Sequence, residues 1–210
     1  MIAVVDYGMG NLRSVSKALE FVGAEVTVTS DAGAIAAADG VVLPGVGAFA
    51  RCMDNLRTAG LEAAVKDAAA SGRPFLGICV GMQILFEQSH EFGRVDGLGI
   101  LPGTVRRFKI KEAGVKVPHM GWNQIRISVN PRPPVLKGIA DGASVYFVHS
   151  FYADCDLEGL ASTVTDHGGE FASSVWQGNV FATQFHPEKS QSVGLKLLEN
   201  FAALAAGREL

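Results

Sequence analysis

Three side chains can do chemistry together in this sequence: Cys79, His186 and Glu188. A cysteine attacks as its thiolate, and a free thiol with a pKa of about 8.5 needs a partner to take its proton near neutrality. Histidine is suited to take that proton and return it. A carboxylate on the other ring nitrogen fixes the tautomer and steadies the ring. The three types make a nucleophile, a base and an orienter. Cys79 stands in Gly77-Ile78-Cys79-Val80-Gly81, after the apolar Pro74-Phe75-Leu76 and before residues 82–87. The first flank reads as the end of a buried strand and the second as a helix. Small neighbours on both sides suit a sharp strand-to-helix turn that strains its central residue and holds the sulfur out at the end of the sheet. A helix start there favours thiolate over thiol. By itself this turn could equally surround an inert buried cysteine. The base comes from the far end of the chain, where the apolar strand 180–185 delivers His186-Pro187-Glu188. Pro187 keeps His186 extended, and residues two apart in extended backbone share a side. An α/β-hydrolase places its acid before the histidine, whereas here it follows.

The elements that must position these groups can be read in order. Strands are predicted at 2–6, 25–29, 40–43 and from 74. Between the first two, Val15, Ala18, Leu19 and Val22 mark one helix face, with Asn11 as N-cap and Gly23 as terminator. An Ala-rich helix is predicted at 61–70. Alternating strands and helices predict a three-layer α/β fold with a largely parallel, doubly wound sheet. Ligands gather beyond the carboxyl ends of such strands, where Asn11, Gly45 to Gly47 and Cys79 all lie. The second half reads differently. A glycine-rich loop at 93–103 precedes strands at 104–111 and 115–118, with a basic turn between them. Residues 122–127 alternate, 130–134 form a proline-rich loop, and 144–152 read as one strong strand. Strands at 161–165, 171–177 and 180–185 complete a mixed or antiparallel half, and a helix at about 192–206 ends the chain. No repeat or composition break divides it, so residues 1–210 are expected to form a single domain.

Composition narrows the classes of function. The chain has 210 residues, 48% hydrophobic and 19% charged, which suits a globular core. A net charge of −3 offers no basic excess for nucleic acid. No apolar run is long enough to span a bilayer, so no membrane association is expected. The start Met1-Ile2-Ala3-Val4-Val5-Asp6 lacks a basic segment and does not read as a signal peptide. Cys52, Cys79 and Cys155 are odd in number and widely spaced, which argues against disulfides and for a reducing, cytoplasmic setting. His90, His119, His149, His167 and His186 show no ligand spacing, so no metal is expected. No cofactor is expected either. Gly8-x-Gly10 has Arg13 where a dinucleotide fingerprint needs its third glycine.

The segments 77–83 and 185–188 together resemble the class I, triad-type glutamine amidotransferase domain, and the resemblance covers nearly the whole chain. Within that family, residues 6–14, 43–49, 118–123 and 146–150 resemble the branch that supplies ammonia for an imidazole ring in histidine biosynthesis. There the synthase subunit is a separate (β/α)8 barrel, and no segment here is long enough to be one. The resemblance implies that Cys79 attacks the side-chain amide of glutamine and forms a γ-glutamyl thioester. It implies oxyanion donors on the backbone of Val80 and of Val46 or Gly47, Glu91 for the substrate amino group, and the backbone near Ser150 for its carboxylate. Gln83, one helical turn past Cys79, either contacts the substrate or lies on the surface. Asn11, Trp122, Asn123 and Lys189 are expected at the interface with the barrel; for Trp122, in a loop beside Gly121, core packing is an equal alternative. Gly45 to Gly47 suits a peptide flip that completes the oxyanion hole. Other readings are a different class I amidotransferase, a γ-glutamyl hydrolase, or a non-catalytic module on the same fold.

Overall fold

A computed structural model describes residues 1–109, 114–156 and 158–209. The first half runs β1 (Ile2–Val5), α1 (Leu12–Phe21), β2 (Val26–Thr29), α2 (Ala32–Ala37), β3 (Gly40–Gly45), α3 (Phe49–Thr58), α4 (Glu62–Ala70) and β4 (Phe75–Cys79). Then follow α5 (Val80–Gln83), β5 (Phe86–Ser89), β6 (Val95–Asp96), β7 (Leu101–Arg107), β8 (His119–Gln124) and β9 (Arg126–Ile127). The chain closes with β10 (Ser144–His149), β11 (Phe151–Asp154), β12 (Ala161–Asp166), β13 (Glu170–Gln177), β14 (Val180–Thr183) and α6 (Gln191–Ala205).

The main sheet has eight strands in the order β2-β1-β3-β4-β14-β13-β12-β9. It is parallel from β2 to β14 and antiparallel from β14 to β9. Every residue of β1, β3, β4 and β14 is buried, as central strands covered on both faces require. Right-handed crossovers place α1 on one face and α2, α3 and α4 on the other. The packing agrees, since α1 lies against α6 and α2 against α4. Two smaller sheets, β10-β8 and β11-β7-β5-β6, complete the fold. The mixed α/β fold expected from the sequence is therefore present. Among the described residues no helix is long and apolar enough to cross a membrane.

Several local expectations need correction. The helix after Cys79 is a single turn, Val80–Gln83, and Phe86–Ser89 is a strand. The carbonyls of Ile84 and Leu85, which would continue the helix, accept instead from Leu98, Ile100 and Leu101. The 93–103 segment contains β6 and the start of β7, so it is not simply a loop. The strand expected at 104–111 ends at Arg107; its last residues, 110 and 111, and the turn at 112–113 lie outside the described residues. Residues 115–118 form no strand, and pairing starts at His119, where β8 runs antiparallel to β10. Trp122 is therefore a strand residue. The expected strand 144–152 is two strands in different sheets, divided at Ser150, whose carbonyl accepts from the Phe108 N–H. Asn11 stands at the N-cap of α1, but its side chain makes no capping bond.

Candidate active site

The site is assembled where β3, β4 and β14 end side by side. β4 pairs with β3, Gly45 opposite Cys79, and with β14, Ile78 opposite Thr183. Cys79 has φ 56° and ψ −112°, in the half of backbone space that a side chain strains. Glycines make the bend possible. A Cβ on Gly81 would lie 1.9 Å from the Leu43 carbonyl oxygen, and one on Gly45 would lie 2.5 Å from the Gly81 nitrogen. The tip of β3 and the first turn after Cys79 thus touch backbone to backbone.

His186 follows β14 with extended φ −98° and ψ 99°. Pro187–Lys189 form a 3₁₀ turn, so Glu188 reaches the ring by that turn and not through continued extended chain. Glu188 Oε1 stands 2.8 Å from His186 Nδ1, and both side chains are almost wholly buried. The other carboxylate oxygen, Oε2, is buried without a hydrogen-bond partner among the described residues. His186 is also clamped through its backbone. The His186 N–H donates to the Tyr146 carbonyl, Ser190 Oγ donates to the His186 carbonyl, and the Tyr146 N–H donates to Ser190 Oγ. Burial works against a charged imidazole, but hydrogen bonding to Cys79 and Glu188 outweighs it and pushes His186 up to about 10. With a four-residue helix aligning few peptide dipoles, the imidazole is the group best placed to manage the Cys79 proton.

A cavity of about 690 Å³ opens over these groups. It is lined by Val46, Gly47, Val80, Gln83, Glu91 and Ser150 as well as Cys79 and His186. All the residues expected to bind glutamine or its oxyanion therefore meet at one place. Glu91 is buried and its Oε2 accepts from the Phe49 N–H at 2.7 Å. Gln83 is buried, not on the surface; its Nε2 donates to the Phe151 carbonyl and to Gln184 Oε1, each at 2.9 Å. The end of β3 is tied by Tyr7, whose hydroxyl donates to the Pro44 carbonyl at 2.7 Å, and the loop after it by Cys52, whose thiol reaches the Val46 carbonyl at 3.5 Å.

Near the cavity mouth, Trp122 is 49% exposed and stands edge-on to Tyr146, its register partner, with Lys189 over the other ring. Asn11 is half-buried at the start of α1. Asn123 differs from Trp122. Its side chain points to the opposite face of β8 and bonds His119 Nε2 and the Asp166 carbonyl.

Tyr7 and Gln184 complete the site and were not singled out from the sequence. Gln184 lies in the bend between the end of β14 and His186, where strand alternation no longer tells which way a side chain points. Tyr7 offered no signal, because a tyrosine before a Gly-rich turn does not reveal which carbonyl it will reach.

In the cavity wall burial pulls His149 down to about 3, and beside it His119 is pulled down to about 4, His167 adding to the effect on both. Both rings stay neutral in the folded chain, while in the unfolded chain they titrate near 6.5. The unfolded state therefore binds more protons below that pH. Stability from these rings is complete above about pH 6.5 and is lost as acid is added, by up to about 1.4 kcal/mol per pH unit for each ring. The loss levels off below about 4 for His119 and about 3 for His149. The urea midpoint should fall between about pH 6.5 and 5, and less steeply in His149→Gln. Equal slopes would show that His149 already titrates in the fold.

Residues 3–204 match the family Glutamine amidotransferase class-I. The chain belongs to that family. As a class-I glutamine amidotransferase it is an enzyme that draws nitrogen from glutamine. It is 54% identical over 205 residues to the imidazole glycerol phosphate synthase subunit HisH of Geobacter metallireducens, covering 96% of this chain and 97% of that one. The subunit of the same name from Moorella thermoacetica is 54% identical over 204 residues, covering 97% and 94%. Solved structures agree on the class-I glutamine amidotransferase fold. A crystal structure of a glutamine amidotransferase superposes with TM-score 0.74 at 20% identity, covering 98% of this chain and 100% of that one. The glutaminase domain of Trypanosoma brucei CTPS with bound acivicin gives 0.72 at 19%, covering 100% and 94%.

Proposed function

We propose that this chain is the glutaminase subunit of an imidazole glycerol phosphate synthase, acting as one domain beside a separate (β/α)8-barrel synthase subunit. The observation that carries the reading is the adjacency of β4 and β14, which sets Cys79 against the His186–Glu188 pair at the floor of one cavity. Cys79 attacks the side-chain carbonyl of glutamine, and a C–S bond forms. The oxygen takes up negative charge and is met by the Val80 N–H and by an N–H from Val46 or Gly47. His186 gives its proton to the leaving nitrogen, the C–N bond breaks and ammonia departs. Water then loses a proton to His186 and attacks the thioester; the C–S bond breaks and glutamate is released. Glu91 suits the substrate ammonium and the backbone at Ser150 its carboxylate. Gln83 Oε1 remains for a polar group of the substrate, its nitrogen being spent inside the protein.

Free ammonia is mostly protonated in water and is then no nucleophile, so a closed route to the barrel is an advantage. Asn11, Trp122 and Lys189 suit that docking face, and exposed tryptophan is a frequent anchor. Asn123 contributes to it from behind, through the hydrogen bonds that hold β8. Flipping a peptide in Gly45 to Gly47 would complete the oxyanion hole only when the partner holds its nucleotide. Glutamine hydrolysis by the purified chain should be slow. It should rise on the order of a hundredfold with the barrel subunit and its nucleotide substrate present. Equal rates with and without them would reject the subunit reading and favour a free-standing γ-glutamyl hydrolase.

A further inference from the structure

Gln184 has no part in the mechanism above, yet it is fully buried and its side chain lies against the sulfur. Its Nε2 donates to Cys79 Sγ at 3.8 Å, and its Oε1 accepts from Gln83 Nε2 at 2.9 Å. An amide can present either end, so the orientation needs a cause. That cause can be followed through the interior. The Phe151 carbonyl can only accept, and both Gln83 Nε2 and His149 Nδ1 point at it, at 2.9 and 2.8 Å. Gln83 must present its NH2 there. The same NH2 reaches Gln184, which answers with its carbonyl oxygen and is left with N–H toward the sulfur.

The far side is equally determined. With its proton on Nδ1, His149 accepts at Nε2 from His119 Nδ1 at 3.0 Å. His119 Nε2 then accepts from the Asn123 amide at 3.2 Å, a nitrogen that can only donate. Each link from Asn123 on β8 to Cys79 thus has one permitted direction.

We infer that Gln184 is a further catalytic residue, whose N–H stabilises negative charge on the Cys79 sulfur. This rests on Cys79 being the nucleophile. The bond counts when the thiolate forms for attack, and again when the C–S bond of the thioester breaks and its electron pair returns to sulfur. At 3.8 Å it is long for the resting thiol and can tighten on a charged sulfur.

The test measures alkylation of Cys79 by iodoacetamide at about pH 7, read by mass spectrometry, alongside kcat and KM for glutamine in the complex with the barrel subunit. Cys52 and Cys155 interfere little, because burial pushes their thiols up to about 11 and about 12. Gln184→Met should slow alkylation about tenfold and lower kcat by a similar factor, with KM within about twofold and the urea midpoint close to the parent's. If that variant does not fold, Gln184→Glu decides, since it keeps the shape and the acceptor for Gln83 but sets a carboxyl oxygen against the sulfur. Alkylation at the parental rate in the folded variant would overturn the role of Gln184. Failure of a glutamine-analogue electrophile to label Cys79 in the parent would instead overturn the nucleophile itself.

Discussion

Replacing Cys79 by alanine should lower glutamine hydrolysis by at least about a thousandfold while the fold stays intact. No other thiol can take over: Cys52 is on the buried face of α3, and neither it nor Cys155 lines the cavity. The stability of such variants adds a sharper expectation. Cys79 sits at φ 56°, ψ −112°, a conformation of the kind that costs about 1–3 kcal/mol for a residue with a Cβ. Alanine keeps that strain and glycine relieves it. Cys79→Gly should therefore be equally inactive but melt higher than Cys79→Ala, by about 2–4 °C for each kcal/mol gained. At an ordinary position glycine is the less stable of the two by about 0.5–1 kcal/mol. Comparing the two melting temperatures checks the strain directly. Alanine melting above glycine would mean that the bend at Cys79 is relaxed.

The second large effect is expected from a single methyl group. Gly81→Ala places a Cβ 1.9 Å from the Leu43 carbonyl oxygen, also close to the main chain of Pro44. Neither neighbour is a flexible side chain, so the first turn after Cys79 or the tip of β3 has to move by more than an ångström. Overpacking of this kind costs about 1–3 kcal/mol. The functional loss should exceed the structural one, because a shift of about 1 Å in reacting groups can cost on the order of a hundredfold in rate. The variant should fold, melt several degrees lower, and lose about a hundredfold in kcat when assayed with the proposed barrel partner and its nucleotide. Gly23→Ala, where a Cβ meets nothing within 4 Å, is a control that strains its own turn without disturbing the site. Normal kcat in Gly81→Ala would show that the contact between β3 and the elbow does not position the nucleophile.

Much of this arrangement was legible in the sequence because it is local. The strand-to-helix turn at Cys79 announces itself by flanking glycines, and the structure gives them the close contacts that the bend needs. The parallel half follows from strands and helices that alternate along the chain. Local pattern misleads where distant residues take over the hydrogen bonds that it would assign. Residues 82–87 have a helical look, but Leu98 to Leu101 capture the carbonyls of Ile84 and Leu85. The alternation of 144–152 continues smoothly through the point where the chain leaves one sheet for another. Phe49, Cys52, Met53 and Leu56, buried along α3, do show helical spacing, obscured by the glycine-rich segment in front. Gln83, Tyr7 and Gln184 depend on partners 37 to 105 positions away, which no local pattern can supply.

The pairing of β4 with β14 has a consequence for how such an enzyme can be controlled. Neighbouring strands sit about 4.8 Å apart, and sliding one by two residues would carry the imidazole nearly 7 Å away from the thiol. The spacing between thiol and imidazole is thus a property of a buried lattice and cannot be loosened without opening the core. Idle and working states must share it. Any throttle has to act on what surrounds the pair, leaving the machinery cocked and withholding only the last donor or the entry of glutamine.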